Sequence, residues 1–246
     1  MVCSFFFLYY NIWKGKLKMM GGDGLQVNRK EILRYLGYGV SEADETIKKL
    51  MEECILEIEK YASPKIVTRV VPIHFLSENE KDFIDFGVFR TKSKSLATNL
   101  KDCEQVIFFA ATLGLGIDQL IRKYSKFEMS RVVVIQAAAT ALLEGYSNEQ
   151  CKNLSKEWEE KGFYSRPRFS PGYGDFSLEY QKPLLESLEA EKRIGIYLTE
   201  SLLMTPSKSV SAVIGLSRKP HRCEVMGCEV MGCEVCEKKD CLYRRN

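Results

Sequence analysis

A loop rich in proline and glycine carries the residues best suited to bind a small molecule. Arg168, Gly172 and Tyr173 form an R-x-x-x-G-Y pattern within the segment Arg166–Gly174. An arginine guanidinium can bind a carboxylate through two parallel hydrogen bonds, and Pro171 with Gly172 allows the backbone to approach a ligand closely. A tyrosine ring can stack on a base or face a cation. The alternative is a tight turn with a surface arginine.

Two further segments follow this loop along the chain. Leu198–Ser201 has the sequence LTES, and Ser209–Ser211 has the sequence SVS, with Met204-Thr-Pro between them. These segments, in this order, resemble the reactivation domain of cobalamin-dependent methionine synthase, in which an R-x-x-x-G-Y loop contacts S-adenosylmethionine and LTES leads to an SVSG-like strand. The segment Arg34–Gly37 resembles short free-standing relatives of that domain more loosely.

The resemblance implies a set of loop residues that bind S-adenosylmethionine: Arg168, Ser170, Pro171, Gly172 and Tyr173. Glu200 is a further candidate, which would balance the sulfonium charge, although a solvated glutamate fits equally well. Ser209 and Ser211 lie on a predicted strand, and Ser211 is the candidate to face the site. In the family an aromatic residue after SVSG touches the ligand, whereas this chain has Ile214 there.

Glu144 is a candidate from outside these segments. It lies on a predicted helix that is otherwise apolar, and burying a carboxylate without a partner is costly. Glu144 could therefore bind the amine or the ribose of the ligand. The alternative is that it marks the point where the helix emerges into solvent.

The function implied by the resemblance is reductive methylation of a cob(II)alamin-containing partner, such as methionine synthase or another corrinoid protein. The chain would act as part of this methyltransferase system, with an electron donor such as flavodoxin or ferredoxin. The two histidines, His74 and His221, do not lie in the D-x-H-x-x-G pattern of cobalamin-binding domains. We therefore expect the partner to supply the cobalamin.

The C-terminal tail contains five of the nine cysteines. Thiolates at C-x2-C spacing favour zinc or an iron-sulfur cluster, and the candidate ligands are Cys228, Cys233, Cys236 and Cys241. The repeated sequence CEVMG, at 223–227 and 228–232, leaves open a reduced tail enlarged by repeat slippage. A corrinoid reductive activator that uses a tail metal centre for electron transfer is an alternative function.

Composition excludes several other classes of protein. The net charge of +3 is small and no long basic run occurs, which argues against nucleic-acid binding. The apolar stretch Val2–Trp13 is too short to span a bilayer, and the scattered cysteines outside the tail favour a reduced, cytoplasmic protein. Codons implied by Lys14–Lys16 resemble a ribosome-binding sequence, so translation is expected to start at Met19 or Met20.

The elements that must position these residues predict an α+β domain, with a mostly antiparallel twisted sheet, flanking helices and a long central helix. Residues 1–24 would be an extension, 25–218 the reactivation-like domain and 219–246 the tail. The predicted elements are, in order, a helix over Asn28–Gly37, a helix starting near Ser41, an antiparallel pair formed by Lys65–Phe75 and Asp82–Phe89, a buried strand over Val106–Ala111, a helix over Arg131–Gly145 and a more polar helix over Asn148–Lys161.

Two alternatives of other classes remain at this point. Gly114 and Gly116 follow the buried strand as in a Rossmann-type methyltransferase, but Gln119 occupies the position of the third glycine. The second alternative is a non-catalytic interaction protein that has kept the fold and lost the ligand.

Overall fold

The computed structural model describes residues 10–11, 27–38, 43–78 and 81–220. The helices are α1 (Arg29–Tyr35), α2 (Glu45–Tyr61), α3 (Lys94–Asn99), α4 (Leu115–Tyr124), α5 (Met129–Glu159), α6 (Gln181–Ser187) and α7 (Ala190–Ile194), with a 3-10 turn at Leu178–Tyr180. The strands are β1 (Tyr10–Asn11), β2 (Lys65–Pro72), β3 (His74–Glu78), β4 (Lys81–Asp85), β5 (Arg90–Thr91), β6 (Gln105–Thr112), β7 (Tyr164–Ser165), β8 (Tyr197–Leu198), β9 (Met204–Thr205) and β10 (Ser209–Ser217).

The main sheet has five strands in the order β1-β2-β6-β10-β7, and every neighbouring pair is antiparallel. Strand β6 lies at its centre because its run of apolar residues is buried on both faces. The predicted α+β class with an antiparallel sheet and a long central helix is confirmed. The antiparallel pairing of β6 also removes the Rossmann-type alternative, which requires parallel strands.

Side chains of the main sheet alternate between two cores. Phe108 and Val213 point into a core formed with α3, α6, α7 and the small sheet β3-β4-β5. Phe109 and Ile214 point to the opposite face, where the C-terminal half of α5 covers them. The N-terminal half of α5 packs against α1, α2 and α4 in a third cluster. The sheet therefore separates an α5 face from an α6 face.

The central helix is longer than the sequence predicted. The expected helices over Arg131–Gly145 and Asn148–Lys161 form one helix, α5, of 31 residues. A side chain at Gly145 would meet no atom within 4 Å, so this glycine lies on an open surface and does not interrupt the helix.

The predicted pairing of Lys65–Phe75 with Asp82–Phe89 is wrong for the first of these segments. Residues 65–72 form β2 of the main sheet and pair with β6. The chain leaves that sheet after Pro72. Of the predicted first segment, only the part that forms β3 pairs with β4, in the small sheet. Alternation of polar and apolar residues predicted both strands but could not locate the break between them.

The two helices predicted near the start of the domain are both present, but the predicted start of the second lies outside the described residues. Helix α1 confirms the first, and the Asn28 side chain caps it by accepting hydrogen bonds from Lys30 N and Glu31 N. Helix α2 begins at Glu45, where Asp44 acts as the N-cap, whereas Ser41 lies outside the described residues. No helix in the described ranges is long and apolar enough to cross a membrane.

Candidate functional site

The R-x-x-x-G-Y loop is attached to the edge of the main sheet. Phe169 exchanges two backbone hydrogen bonds of 2.9 Å with Val213 of β10. Closer to β7, the Arg166 N–H donates to the Gly215 carbonyl at 2.7 Å. These bonds fix the first half of the loop as an irregular continuation of β7 along β10, the strand that contains the SVS segment.

The attachment determines the direction of Arg168. The Phe169 ring packs into the core on the α6 face, next to Phe176. Because adjacent residues of an extended segment point to opposite faces, Arg168 points to the α5 face. There its Nη2 donates a hydrogen bond of 2.8 Å to Asn148 Oδ1.

The second half of the loop is a compact turn. The Tyr173 N–H donates to the Ser170 carbonyl at 3.1 Å, and the Gly172 N–H donates to the Phe176 carbonyl at 2.7 Å. Gly172 has φ +93°, a conformation that L side chains rarely adopt. Pro171 is buried, whereas Tyr173 is 54% exposed. The turn therefore presents one aromatic ring to solvent, which packs edge-on against Phe169 with 6.5 Å between the ring centroids.

A polar stripe on α5 faces this loop. Thr140, Glu144 and Asn148 recur at four-residue intervals and so lie on one side of the helix. Glu144 is hydrogen-bonded to the Tyr35 hydroxyl of α1, and burial together with this bond raises the pKa of Tyr35 to about 12. Glu144 lies one helical turn from Asn148, the residue bonded to Arg168. The structure thus brings two of the predicted site residues, Arg168 and Glu144, to the same side of the sheet.

The edge of β10 that pairs with the loop at Val213 continues past Ser211 to the start of the strand. Because Val213 uses its N–H and C=O to pair with Phe169, the alternation of an antiparallel strand directs the corresponding groups of Ser211 to the same edge. Within the described ranges no strand pairs with this edge at Ser211. Ser211 as a whole is only 2% exposed, so this edge is unpaired but covered at Ser211.

The side chain of Ser211 lies elsewhere. It is buried on the α6 face, and its Oγ donates a hydrogen bond of 3.3 Å to Gln181 Oε1. Gln181 in turn donates through Nε2 to the Leu202 carbonyl at 2.8 Å. Gln181 thereby joins the SVS strand to the β8–β9 hairpin, at the residue that directly follows the LTES segment.

Glu200 is exposed in that hairpin turn and borders a cleft of about 780 Å³ next to α6 and α7. This position is across the sheet from α5. The structure therefore does not bring Glu200 or the Ser211 hydroxyl together with Arg168 and Glu144, and their contact with the ligand stays a prediction. Ile214 is 3% exposed in the core under α5, so this side chain serves packing.

The sequence prediction did not include several residues that hold the site together. Asn148 and Tyr35 contact Arg168 and Glu144 directly, and Asp175 attaches the turn to α3 by accepting hydrogen bonds from Ser93 Oγ at 2.6 Å and Lys94 N at 2.7 Å. The four-residue spacing of Asn148 from Glu144 would have been a signal on one continuous helix, but the sequence prediction placed these two residues on separate helices. The other contacts join distant parts of the chain and left no local signal.

The described residues contain no group of three or more His, Cys, Asp or Glu side chains arranged to bind a metal ion. The proposed ligands Cys228, Cys233, Cys236 and Cys241 lie outside the described residues. The tail metal site therefore stays a prediction.

Comparison with known proteins places this architecture in a family. The family model for the activation domain of vitamin B12-dependent methionine synthase matches residues 89–230, more than half of the chain. The chain belongs to this family. The match includes α5, the R-x-x-x-G-Y loop, the β8–β9 hairpin and β10.

Solved structures agree on the fold. The crystal structure of the MetH reactivation domain bound to AdoHcy matches with a TM-score of 0.56 at 16% sequence identity, covering 87% of this chain and 80% of that chain. At this identity the match establishes a common fold. None of the curated proteins matches this sequence.

Proposed function

We propose that this chain binds S-adenosylmethionine and supports the reductive methylation of a cob(II)alamin-containing partner, such as methionine synthase or another corrinoid protein. The family assignment supports this proposal, because activation domains of that enzyme share the fold. The solved relative was bound to AdoHcy, which is S-adenosylmethionine without its transferable methyl group.

The observation that carries the proposal is the order of charges on the α5 face. Arg168 is bonded to Asn148, and Glu144 lies one turn away, a separation of about 6 Å along the helix axis. The amino-acid half of S-adenosylmethionine carries a carboxylate next to an ammonium and a sulfonium. Arg168 would bind the carboxylate, while Glu144 would attract the cationic groups.

The remaining parts of the proposed site come from the loop and the strand. Tyr173, whose exposed ring packs against Phe169, is the candidate to face the sulfonium. Gly172 and Pro171 would bring the backbone close to the ligand. The protein would contribute binding and orientation rather than acid-base chemistry.

The reaction balances if a separate electron donor, such as flavodoxin or ferredoxin, supplies one electron. Cob(II)alamin on the partner gains this electron, and the methyl group of S-adenosylmethionine moves to cobalt as its bond to sulfur breaks. The products are methylcobalamin and S-adenosylhomocysteine. Holding the sulfonium methyl over the cobalt would convert this step into a reaction between fixed groups.

Calorimetric titration with S-adenosylmethionine tests the proposed site. We expect the wild-type chain to bind, and we expect Arg168→Ala to weaken binding by about 1.5–3 kcal/mol, because a charged hydrogen-bond partner of the ligand is lost. Arg90→Ala is the matched control, since Arg90 forms an exposed ion pair with Asp85 in the small sheet. A wild type without measurable binding would contradict the proposed function. Equal affinities of wild type and Arg168→Ala would contradict the role of Arg168 alone.

A further inference from the structure

Lys208 extends the candidate site beyond the family motifs. It directly precedes β10, and strand alternation places its side chain on the α5 face with Val210 and Ala212. Its Nζ donates a hydrogen bond of 3.0 Å to Thr140 Oγ1. Lys208 therefore lies beside the first residue of the polar stripe on α5, whereas Arg168 lies beside the last.

The surroundings of Lys208 leave its ammonium group able to bind a ligand. Within the described ranges, no carboxylate oxygen forms an ion pair with its Nζ. Asp118 is an acidic group whose charge acts on Lys208, and its carboxylate already accepts hydrogen bonds from the Ser207 N–H, at 2.9 Å, and from the Ser207 hydroxyl. Partial burial lowers the pKa of Lys208, an effect that Asp118 opposes. An ammonium group has three donors, of which the bond to Thr140 uses one.

The polar stripe also spaces the hydrogen-bond partners of the two cations, Thr140 for Lys208 and Asn148 for Arg168. Thr140 and Asn148 are eight residues apart on α5, which corresponds to about 12 Å along the helix axis. Glu144 lies midway between them. The α5 face thus presents a cation, an anion and a second cation in a line.

We propose that Lys208 binds the nucleoside half of the ligand, by donating hydrogen bonds to acceptor atoms of the base or the ribose. This inference rests on the proposed function, in which Arg168 binds the carboxylate and Glu144 attracts the cationic groups. With those groups at one end of the line, the nucleoside extends towards Lys208. A nucleoside carries ring nitrogens and hydroxyl oxygens that accept hydrogen bonds but has no carboxylate.

Two ligands separate the roles of the two cations. S-adenosylhomocysteine has both halves, whereas 5′-methylthioadenosine keeps the nucleoside and lacks the amino-acid group. We expect Lys208→Met to weaken binding of both ligands by about tenfold, as for the loss of one charged hydrogen bond. We expect Arg168→Met to weaken only S-adenosylhomocysteine. The affinities are measured by calorimetry on the full chain.

Three further proteins complete the experiment. Lys208→Arg keeps the charge and the donors, so it should retain most of the affinity for both ligands. Lys126→Met removes an exposed lysine between α4 and α5 and should bind as the wild type does. Thermal unfolding of each variant verifies that it is folded.

The outcomes distinguish this inference from the proposed function. If the folded Lys208→Met variant binds both ligands as tightly as the wild type, or loses affinity for S-adenosylhomocysteine alone, the assignment of Lys208 is wrong while the proposed function stands. A wild type that binds neither ligand contradicts both. Loss of affinity for both ligands in Lys208→Met, with retention in Lys208→Arg, supports the assignment.

Discussion

Asp175 shows how a residue next to the motif holds the binding loop in place. Its carboxylate accepts hydrogen bonds from the Ser93 hydroxyl and from the N–H groups of Lys94 and Ser95. The last two groups belong to the first turn of α3, where backbone donors lack helical partners. The loop that contains Arg168 is thereby tied to a helix about 80 positions earlier in the chain. Sequence patterns could predict the loop residues but not this partner, because no local spacing relates it to α3.

The hydrogen bonds to Asp175 predict a pH-dependent contribution to stability. The Ser93 hydroxyl and the backbone N–H groups hold the pKa of Asp175 well below its usual range. A carboxylate with a depressed pKa stabilises the folded state above its unfolded pKa of about 3.9, and this stability is lost as the pH falls towards the folded pKa. We expect Asp175→Asn to reduce the free energy of unfolding by about 1 kcal/mol at pH 7, as for other helix caps. Since the side chain is exposed, solvent screening keeps the effect small.

Urea unfolding of wild type and Asp175→Asn at pH 7 and near pH 3 measures this effect. The difference in the free energy of unfolding should shrink near pH 3, because the carboxyl group of the unfolded chain takes up a proton there while the folded carboxylate is still charged. A difference that stays constant with pH would show that the charge of Asp175 does not stabilise the fold.

At the scale of secondary-structure elements, the sequence predicted most segments and few of their partners. The apolar run in β6 and the charge-poor part of α5 were both predicted, because a segment with many apolar and few charged residues indicates burial. The fusion of two predicted helices into α5 was missed, since a glycine and two polar residues near 145–148 resemble a helix end. The positions of these elements depend on contacts between distant residues. Two glycines show how residues of the same type, both on helices, can differ in what packs against them.

Gly116 and Gly145 are both helical glycines but have opposite surroundings. A Cβ at Gly116 would lie 2.1 Å from the Tyr61 carbonyl oxygen, where α4 meets the C-terminal end of α2. A Cβ at Gly145 would meet no atom within 4 Å. Gly116, one of the two glycines that resembled a Rossmann-type methyltransferase in the sequence, is therefore explained by close packing of two helices.

We expect Gly116→Ala to lower the free energy of unfolding by about 1–3 kcal/mol, because the backbone must move to remove the overlap. Gly145→Ala is the matched control and should raise it by about 0.5–1 kcal/mol, because alanine loses less conformational entropy in a helix. Chemical denaturation of the two variants beside the wild type measures both changes. A Gly116→Ala variant as stable as the wild type would contradict the close approach of α4 to α2.

At the scale of the whole molecule, β10 gathers the motif segments that are separated in the sequence. The R-x-x-x-G-Y loop pairs with β10 at Val213, and the LTES hairpin is linked to it through Gln181. The order of the segments was sufficient to predict the family. It could not predict that the Arg168 side chain and the Ser211 hydroxyl point to opposite faces of the sheet, because this depends on the register between two strands.

The same arrangement makes a prediction about the protein and its partner together. The proposed function assigns the corrinoid to a partner, in keeping with the lack of a D-x-H-x-x-G pattern in residues 1–246. We therefore expect the full chain, with S-adenosylmethionine and a reductant, to restore turnover to an aerobically inactivated corrinoid methyltransferase that lacks its own reactivation domain. The Arg168→Ala variant is the control and should restore less activity at limiting S-adenosylmethionine, because its binding is weaker. Tight binding of free cobalamin by the isolated chain would contradict this division of roles between the two proteins.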